Sequence, residues 1–375
     1  MSNDIIMFAV GDVGPNRDDP NSIFQFVKPI LGKGDVLFCQ LEPCLSNRGI
    51  PLPQSRLPMR GDPKGAKAIK EAGFQVVSFA TNHCMDWGRE AFFETIQCLQ
   101  KQDLKVIGAG KNIEEARKPA FMECKGTKIA FLAYNSILPQ GYWAEANRPG
   151  CAPLRGLTVY EQIEHDQPGT PCRIHTFPHK EDLAAMVEDI KKAKAQADLV
   201  MVSVHWGIHF VPAALADYQR IAAHAAIDAG ADLIIGHHPH ILKPIEVYKG
   251  KVILYSLANF ALEPPIAFAE SLDLYNSPSY QEMQQLNPDW KKAPNKAMPP
   301  DSYKTIVSKC VIADKQIRKV TFLPTQIDDK TANPEILPAS DPRFQEIVRY
   351  MEDITRDQKL DTSYEVEGNE VLVRI

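Results

Sequence analysis

MVSVHWGIHF (201–210), VPAALADYQRIAAHAAIDAG (211–230), ADLIIGHHPH (231–240) and ILKPIEVYKGKVILYSLANF (241–260) run on from one another and read as strand, loop, helix, strand, loop and hairpin. Two apolar runs, Leu199 to Val204 and Leu233 to Ile235, stop at His205 and at the cluster His237, His238 and His240. A buried strand that ends in imidazoles presents metal ligands at one rim of an α/β sheet. The remaining ligands must then come from elsewhere in the chain.

The N-terminal third supplies them in the same way. Ile5 to Val10 is a buried-strand run ending at Gly11-Asp12, Val36 to Leu41 ends at Glu42, and Gln75 to Ala80 ends at Thr81-Asn82-His83. A helix is expected over Ser22 to Leu31 and another over Gly88 to Gln100, the latter with Phe92, Ile96 and Leu99 on one face. Residues 120–134 read as a hairpin turning at Lys125-Gly126. Five strand ends thus carry two carboxylates, one amide and imidazoles. Oxygen and imidazole donors without thiolate suit a divalent metal, one or two ions, with Mn²⁺, Zn²⁺ or Fe²⁺ favoured. Asp12, Glu42, Asn82, His205, His238 and His240 are the candidate ligands, and His83, beside them, is the candidate general acid or base. Arg60, Asp86, Trp206 and Lys304 are the candidate substrate-binding residues. Arg148 and Arg155 are further possible anion partners.

Two stretches break the pattern. Asn135 to Pro178 is rich in proline and glycine and is expected to be an irregular lid or substrate wall, with His175 and His179 in a loop rather than on a metal. Leu262 to Ser302 is proline-rich and aromatic, an ordered loop or helix over the same rim. Thr305 to Val311 and Ile317 to Leu323 alternate as a hairpin; Asp341 to Gln358 is amphipathic, and 364–374 forms a last hairpin. The expected division is residues 1–330, carrying the inserts 135–178 and 262–302, and a C-terminal helix-and-hairpin extension, 331–375.

With 44% apolar and 24% charged residues and a net charge of −5, nothing calls for nucleic acid or an anionic membrane. The eight cysteines show no CxxC pair and read as buried free thiols. No segment has the length of a membrane span and the N-terminus has no basic n-region, so a cytoplasmic location and no membrane partner are expected. The oligomeric state is left open.

The motifs VGD (10–12), QLE (40–42), TNHCMDWG (81–88), SVHWG (203–207), GADLIIGHHPHILKPIE (230–246) and ILYSLANF (253–260), with MPPDSYKT (298–305) beyond them, resemble the CapA-type family linked to poly-γ-glutamate capsule biosynthesis, within the calcineurin-like metallophosphoesterase fold. The resemblance implies an α/β protein, a four-layer α/β/β/α sandwich with metals at one end. Carried over by position, Asp12 and His240 would bind one metal; Asn82, His205 and His238 would bind a second, and Glu42 would bridge. The superfamily's first motif is Asp-x-His; here it is Asp12-Val13-Gly14. The expected function is a soluble metal-dependent enzyme acting on an amide, carboxylate or peptide-like substrate, γ-glutamyl compounds included. It would act as hydrolase or epimerase, by metal-activated water or by Cα proton transfer. The alternatives are a metal-dependent phosphoesterase and a non-catalytic accessory protein of poly-γ-glutamate synthesis.

Overall fold

A computed structural model describes residues 4–271, 273–293 and 296–374. Residues 1–3, 272, 294–295 and 375, which the sequence reading assigned to the N-terminal unit, the second insert and the C-terminal hairpin, lie outside the described residues.

Two sheets face each other. The 10-stranded sheet runs in the order Tyr364–Glu367, Glu370–Val373, Gln316–Ile327, Lys304–Ala313, Ile5–Gly14, Val36–Leu41, Val76–Ser78, Lys105–Ile107, with Asn259–Leu262 also on Ile5–Gly14 and Pro334–Ile336 on Gln316–Ile327. The 6-stranded sheet runs Ile245–Tyr248, Lys251–Leu254, Leu233–His237, Leu199–His205, Thr127–Asn135, Ala120–Cys124. Period-two alternation explains how both faces of the strands are buried. Met7, Phe38 and Val76 face Phe131, Met201 and Ile235 across the interior, and Phe38 stacks on Phe131 at 6.2 Å. The other face of the first sheet packs Phe8, Leu37 and Val77 against helix Gly88–Gln100 through Phe92 and Leu99. The other face of the second sheet packs Val200, Val202 and Ile234 against helices Lys180–Lys194 and Asp217–Asp228. The result is the α/β/β/α sandwich that the resemblance implies.

Local departures from the sequence reading have physical causes. The helix expected over Ser22 to Leu31 is a 3₁₀ turn, Pro20–Phe24, and a separate single turn, Lys28–Leu31, because Pro29 lacks the N–H a through-running helix needs and instead occupies a first turn. The first strand continues past Val10 to Gly14, since Asp12 to Gly14 pair in parallel with Asn259 to Leu262. Residues 156–178 are not irregular. Gly156–Gln162 and Cys172–Pro178 pair as an antiparallel ribbon, with Leu157 opposite Phe177 and Tyr160 opposite Ile174. Residues 331–374 share the main core and sheet. Helix Pro342–Asp357 buries Phe344, Ile347, Val348, Met351 and Ile354 in the interior between the sheets, and Val371 pairs with Phe322. Among the described residues no helix is long and apolar enough to cross a membrane.

Candidate metal centre

The strands deliver their ends to one place. Asp12 projects from the first strand where Gly11 passes the Ala258 carbonyl; a Cβ on Gly11 would lie 2.0 Å from that oxygen, so only glycine permits the approach. The Asp12 N–H then donates to Ala258 O at 3.0 Å. His205 ends its strand in register with His237 of the neighbouring one, so both rings point into the space between the sheets. His238 and His240 follow with φ of 96° and 55°, a left-handed backbone that non-glycine residues keep only where the surroundings demand it.

One oxygen or nitrogen each from Asp12, Glu42 and His205 lies within 4.8 Å of the others, and all three residues are buried. Glu42 sits at the middle: its Oε1 is 3.6 Å from His83 Nε2 and 3.8 Å from His240 Nε2, and its Oε2 is 3.7 Å from His205 Nε2. Asp12 is 3.6 Å from His240 Nδ1. Asn82 Oδ1 is 2.6 Å from His205 Nε2, and the His205 and His238 rings are 4.9 Å apart. The six candidate ligands therefore come together in one cluster, with Glu42 near both the Asp12–His240 and the Asn82–His205–His238 groups.

The electrostatics of this cluster fit a cation. Burial pushes the Asp12 carboxyl well above its usual range, with the Glu42 charge adding to the effect. Burial raises Glu42 to about 7 against the opposing pull of His83 and Thr81. Burial also holds His205 and His238 well below the ordinary imidazole value and His240 at about 4. No lysine or arginine contacts either carboxylate among the described residues. Asp12 Oδ1 and Oδ2, Glu42 Oε1, His205 Nδ1 and His238 Nδ1 are buried without hydrogen-bond partners. Two buried carboxylates facing neutral imidazoles are costly alone, and a divalent ion removes that cost.

His83 is held from behind. Its Nδ1 lies 2.5 Å from Asp86 Oδ2, and Asp86 in turn accepts from the Met59 N–H (2.8 Å) and the Tyr142 hydroxyl (3.0 Å). Burial disfavours the His83 cation, but Asp86, with help from Glu42, outweighs it and raises the imidazole above its ordinary value. Asp86 thus orients His83, a role its position in TNHCMDWG alone does not specify. Beside the cluster opens a cavity of about 360 Å³, lined by Asn82, His83, His209, His238 and His240 on its floor and by Leu57, Phe210, Pro264, Tyr275, Tyr280 and Met298 on its walls, with Arg56 among them.

The other candidate substrate residues do not line that cavity. Trp206 is fully buried, stacks on Tyr255 and donates from Nε1 to Tyr255 O, so it packs beneath the strand end. Arg60 lies 3.7 Å over the Trp87 ring, and Lys304 pairs with Asp301. Arg148 is bound to Glu145 and Arg155 to Asp182. Of the first insert only Ile137 and Pro139 reach the cavity; the ribbon packs on helix Asp217–Asp228 through Thr176, so it forms no wall.

The sequence reading left out Asn259 and Arg56, named His237 in the histidine cluster without making it a ligand, and left His209 open between lining the site and packing. Asn259 Oδ1 is 2.7 Å from His240 Nδ1 and fixes that ring. His237, both of whose ring nitrogens are buried without partners, lies 3.5 Å from Asp12. His209 stacks on His238 at 3.8 Å, and Arg56 reaches the cavity from the 50–58 loop. The run SLANF (256–260) around Asn259 was a visible signal for the first; nothing local distinguishes Arg56 from other surface arginines.

Comparison with known proteins follows the same span. Residues 6–263 match the family model described as bacterial capsule synthesis protein PGA_cap. The PGA biosynthesis protein CapA of Bacillus subtilis is 32% identical over 262 residues, covering 69% of this chain and 62% of its own length. The capsule biosynthesis protein CapA of Bacillus anthracis is 30% identical over 251 residues, 66% of this chain and 55% of its own. The matched part of the chain therefore spans less than two thirds of the length of these curated relatives. A Staphylococcus aureus structure described as a 5′-nucleotidase in complex with α-ketoglutarate aligns over 93% of this chain and 58% of its own at 14% identity, with a TM-score of 0.44. With residues 6–263 inside the family match, the chain belongs to the PGA_cap family of bacterial capsule synthesis proteins.

Proposed function

We propose that this protein is a metal-dependent enzyme that hydrolyses a peptide-like amide carrying an apolar group and a carboxylate. The observation that carries this reading is His83. It lines the cavity, it borders the ligand cluster through Glu42 at 3.6 Å, and it is held from behind by Asp86. Asp86 favours the cationic form of this imidazole, which suits it to pass a proton to a leaving amine.

Asp12, Glu42, Asn82, His205, His238 and His240 would hold the metal, and His209 stacks behind His238. A divalent ion in such a site supplies Lewis-acid polarisation of a carbonyl and acidifies water. The chain's own residues do the rest. Phe210, Tyr275 and Tyr280 exclude water and pack an apolar group, while Arg56 at the wall is placed to accept one carboxylate. Arg56 donates to Ser279 Oγ at 3.2 Å and has no carboxylate partner among the described residues, so its charge is free for a ligand.

The apolar walls speak against one other reading. A polyanionic γ-glutamyl chain would call for several cations along the cavity, and Arg56 is the one lysine or arginine among the described lining residues. The test is turnover by metal-loaded protein of a panel of N-acyl amino acids and dipeptide amides, against phosphomono- and diesters, run in D₂O. Release of two products from an apolar amide, without deuterium at the recovered substrate's Cα, supports hydrolysis. Deuterium exchange at Cα would reassign the site to proton transfer. Turnover of phosphoesters alone would sink the proposal.

A further inference from the structure

The turn that carries Asn82, His83 and Asp86 also carries Cys84, whose sulfur is 2.8 Å from that of Cys151, 67 residues away in sequence. Both side chains are fully buried. That separation is well inside the ~3.5–4.0 Å at which non-bonded carbon atoms pack, and sulfur is larger than carbon. We propose that Cys84 and Cys151 are an oxidisable pair that closes to a disulfide and locks the His83 turn onto the short strand Gly150–Cys151 behind it.

The geometry gives the bond a defined consequence. Cys151 lies on the short strand Gly150–Cys151, which pairs with Ala109–Gly110, and its backbone N–H donates to Tyr142 O at 2.9 Å. Tyr142 holds Asp86, and Asp86 holds His83. A covalent link from Cys84 to Cys151 would therefore tie the turn bearing the proton-transfer pair to the segment that braces it. The sulfurs need approach only by about 0.75 Å, from 2.8 Å to the ~2.05 Å of a disulfide. Cys44, the third sulfur nearby, points instead at the Cys84 and His83 carbonyls, at 3.1 and 3.3 Å.

The oxidant is a small-molecule disulfide such as oxidised glutathione. One protein thiolate attacks it, forming a mixed disulfide and releasing one thiol; the second protein thiolate then displaces the other thiol. The protein loses two electrons and two protons, and the small disulfide gains both as two thiols. The sulfurs lie below the surface, so the reaction runs on the timescale of local opening rather than of collision.

The test incubates the folded protein with excess oxidised glutathione, alkylates the remaining thiols and maps peptides without reduction. The exposed Cys172 reports that the oxidant acted, by carrying a glutathione adduct. The expected result is a peptide pair joined through Cys84 and Cys151, lighter by two hydrogens than its parts, together with a melting temperature several degrees above that of the reduced protein. Cys151→Ser should show no such redox-dependent shift, whatever its own stability. Recovery of Cys84 and Cys151 as separate alkylated peptides while Cys172 is glutathionylated overturns the proposal, as does a Cys44–Cys84 link in its place.

Discussion

The two inserts resemble each other in sequence and differ in use. Both are rich in proline, and one was expected as a lid or substrate wall, the other as a cover over the same rim. Residues 262–302 roof the cavity: Tyr280 and Phe210 each contact Trp290 at about 5 Å between ring centres, and Asn287 donates to Phe210 O, binding the roof to the His209 loop. Residues 156–178 turn away. Their ribbon lies on helix Asp217–Asp228, and its apolar side chains face solvent, Tyr160 at 68% and Ile174 at 61% exposure. Composition told that each segment was ordered or functional; only the packing partners separate a cavity wall from an outlying ribbon. An exposed two-stranded ribbon is marginal by itself, so its stability comes from the helix it lies on.

The largest expected effects fall on the ligand cluster, where neither insert matters. Glu42→Ala and His238→Ala should each empty the site by elemental analysis and abolish turnover; full metal content in both variants would refute the centre. Next comes the proton-transfer pair. His83→Ala should keep its metal and lose about 10²–10⁴ in kcat. Asp86→Asn should move the alkaline limb of the pH–rate profile to lower pH, because Asp86 raises the His83 imidazole and the protonated acid is lost once pH passes its value. An unmoved limb would mean that Asp86 does not tune His83.

Smaller effects sharpen the contrast between the inserts directly. Tyr280→Ala should raise KM about tenfold, the ~1–3 kcal/mol of a lost apolar contact. Replacing residues 159–175 by Asn-Gly, which keeps Thr158 and Thr176, should leave KM and kcat unchanged; a changed KM would bring the ribbon back to the cavity. An effect on stability rather than turnover concerns Lys243, which is buried and donates to Val211 O and to Ala214 O (2.9 Å), bracing the loop that carries His209 and Phe210. Burial lowers its amine to about 7 from 10.5. Between those values the unfolded chain binds up to about one proton more than the folded one, so stability contributed at this site rises with pH. Urea titrations at pH 7 and 9.5 should show that rise weakened in Lys243→Met; an identical pH slope in both proteins would exclude it.

Much of the cluster was legible because its members sit close to strand ends. A buried strand must be apolar, so polar residues near its end announce a rim, and Asp12, Glu42, Asn82, His205, His238 and His240 all lie within a few residues of one. The helices were read where apolar spacing dominates, as at Phe92 and Leu99, and misread where Pro29 broke an otherwise helical run. Trp206 was misleading for the opposite reason. It sits one residue past a ligand, and strand alternation turns it to the far face, into the layer of Val202, Val204 and Tyr255.

The four layers were implied by the family resemblance; the sequence by itself determined the order of most strands and helices, their apolar faces, and which polar groups terminate the strands. These follow from burial and periodicity along a single segment. The tertiary structure alone decided which distant groups meet: Asn259 on His240, Asp86 and Tyr142 behind His83, Arg56 at the cavity wall, Cys84 against Cys151, and one insert over the site while the other points away. Apart from Asp86 on His83, three residues away, each of these is a contact across 19 residues or more. Its energy depends on where two surfaces come to rest, and no local pattern in the chain encodes that.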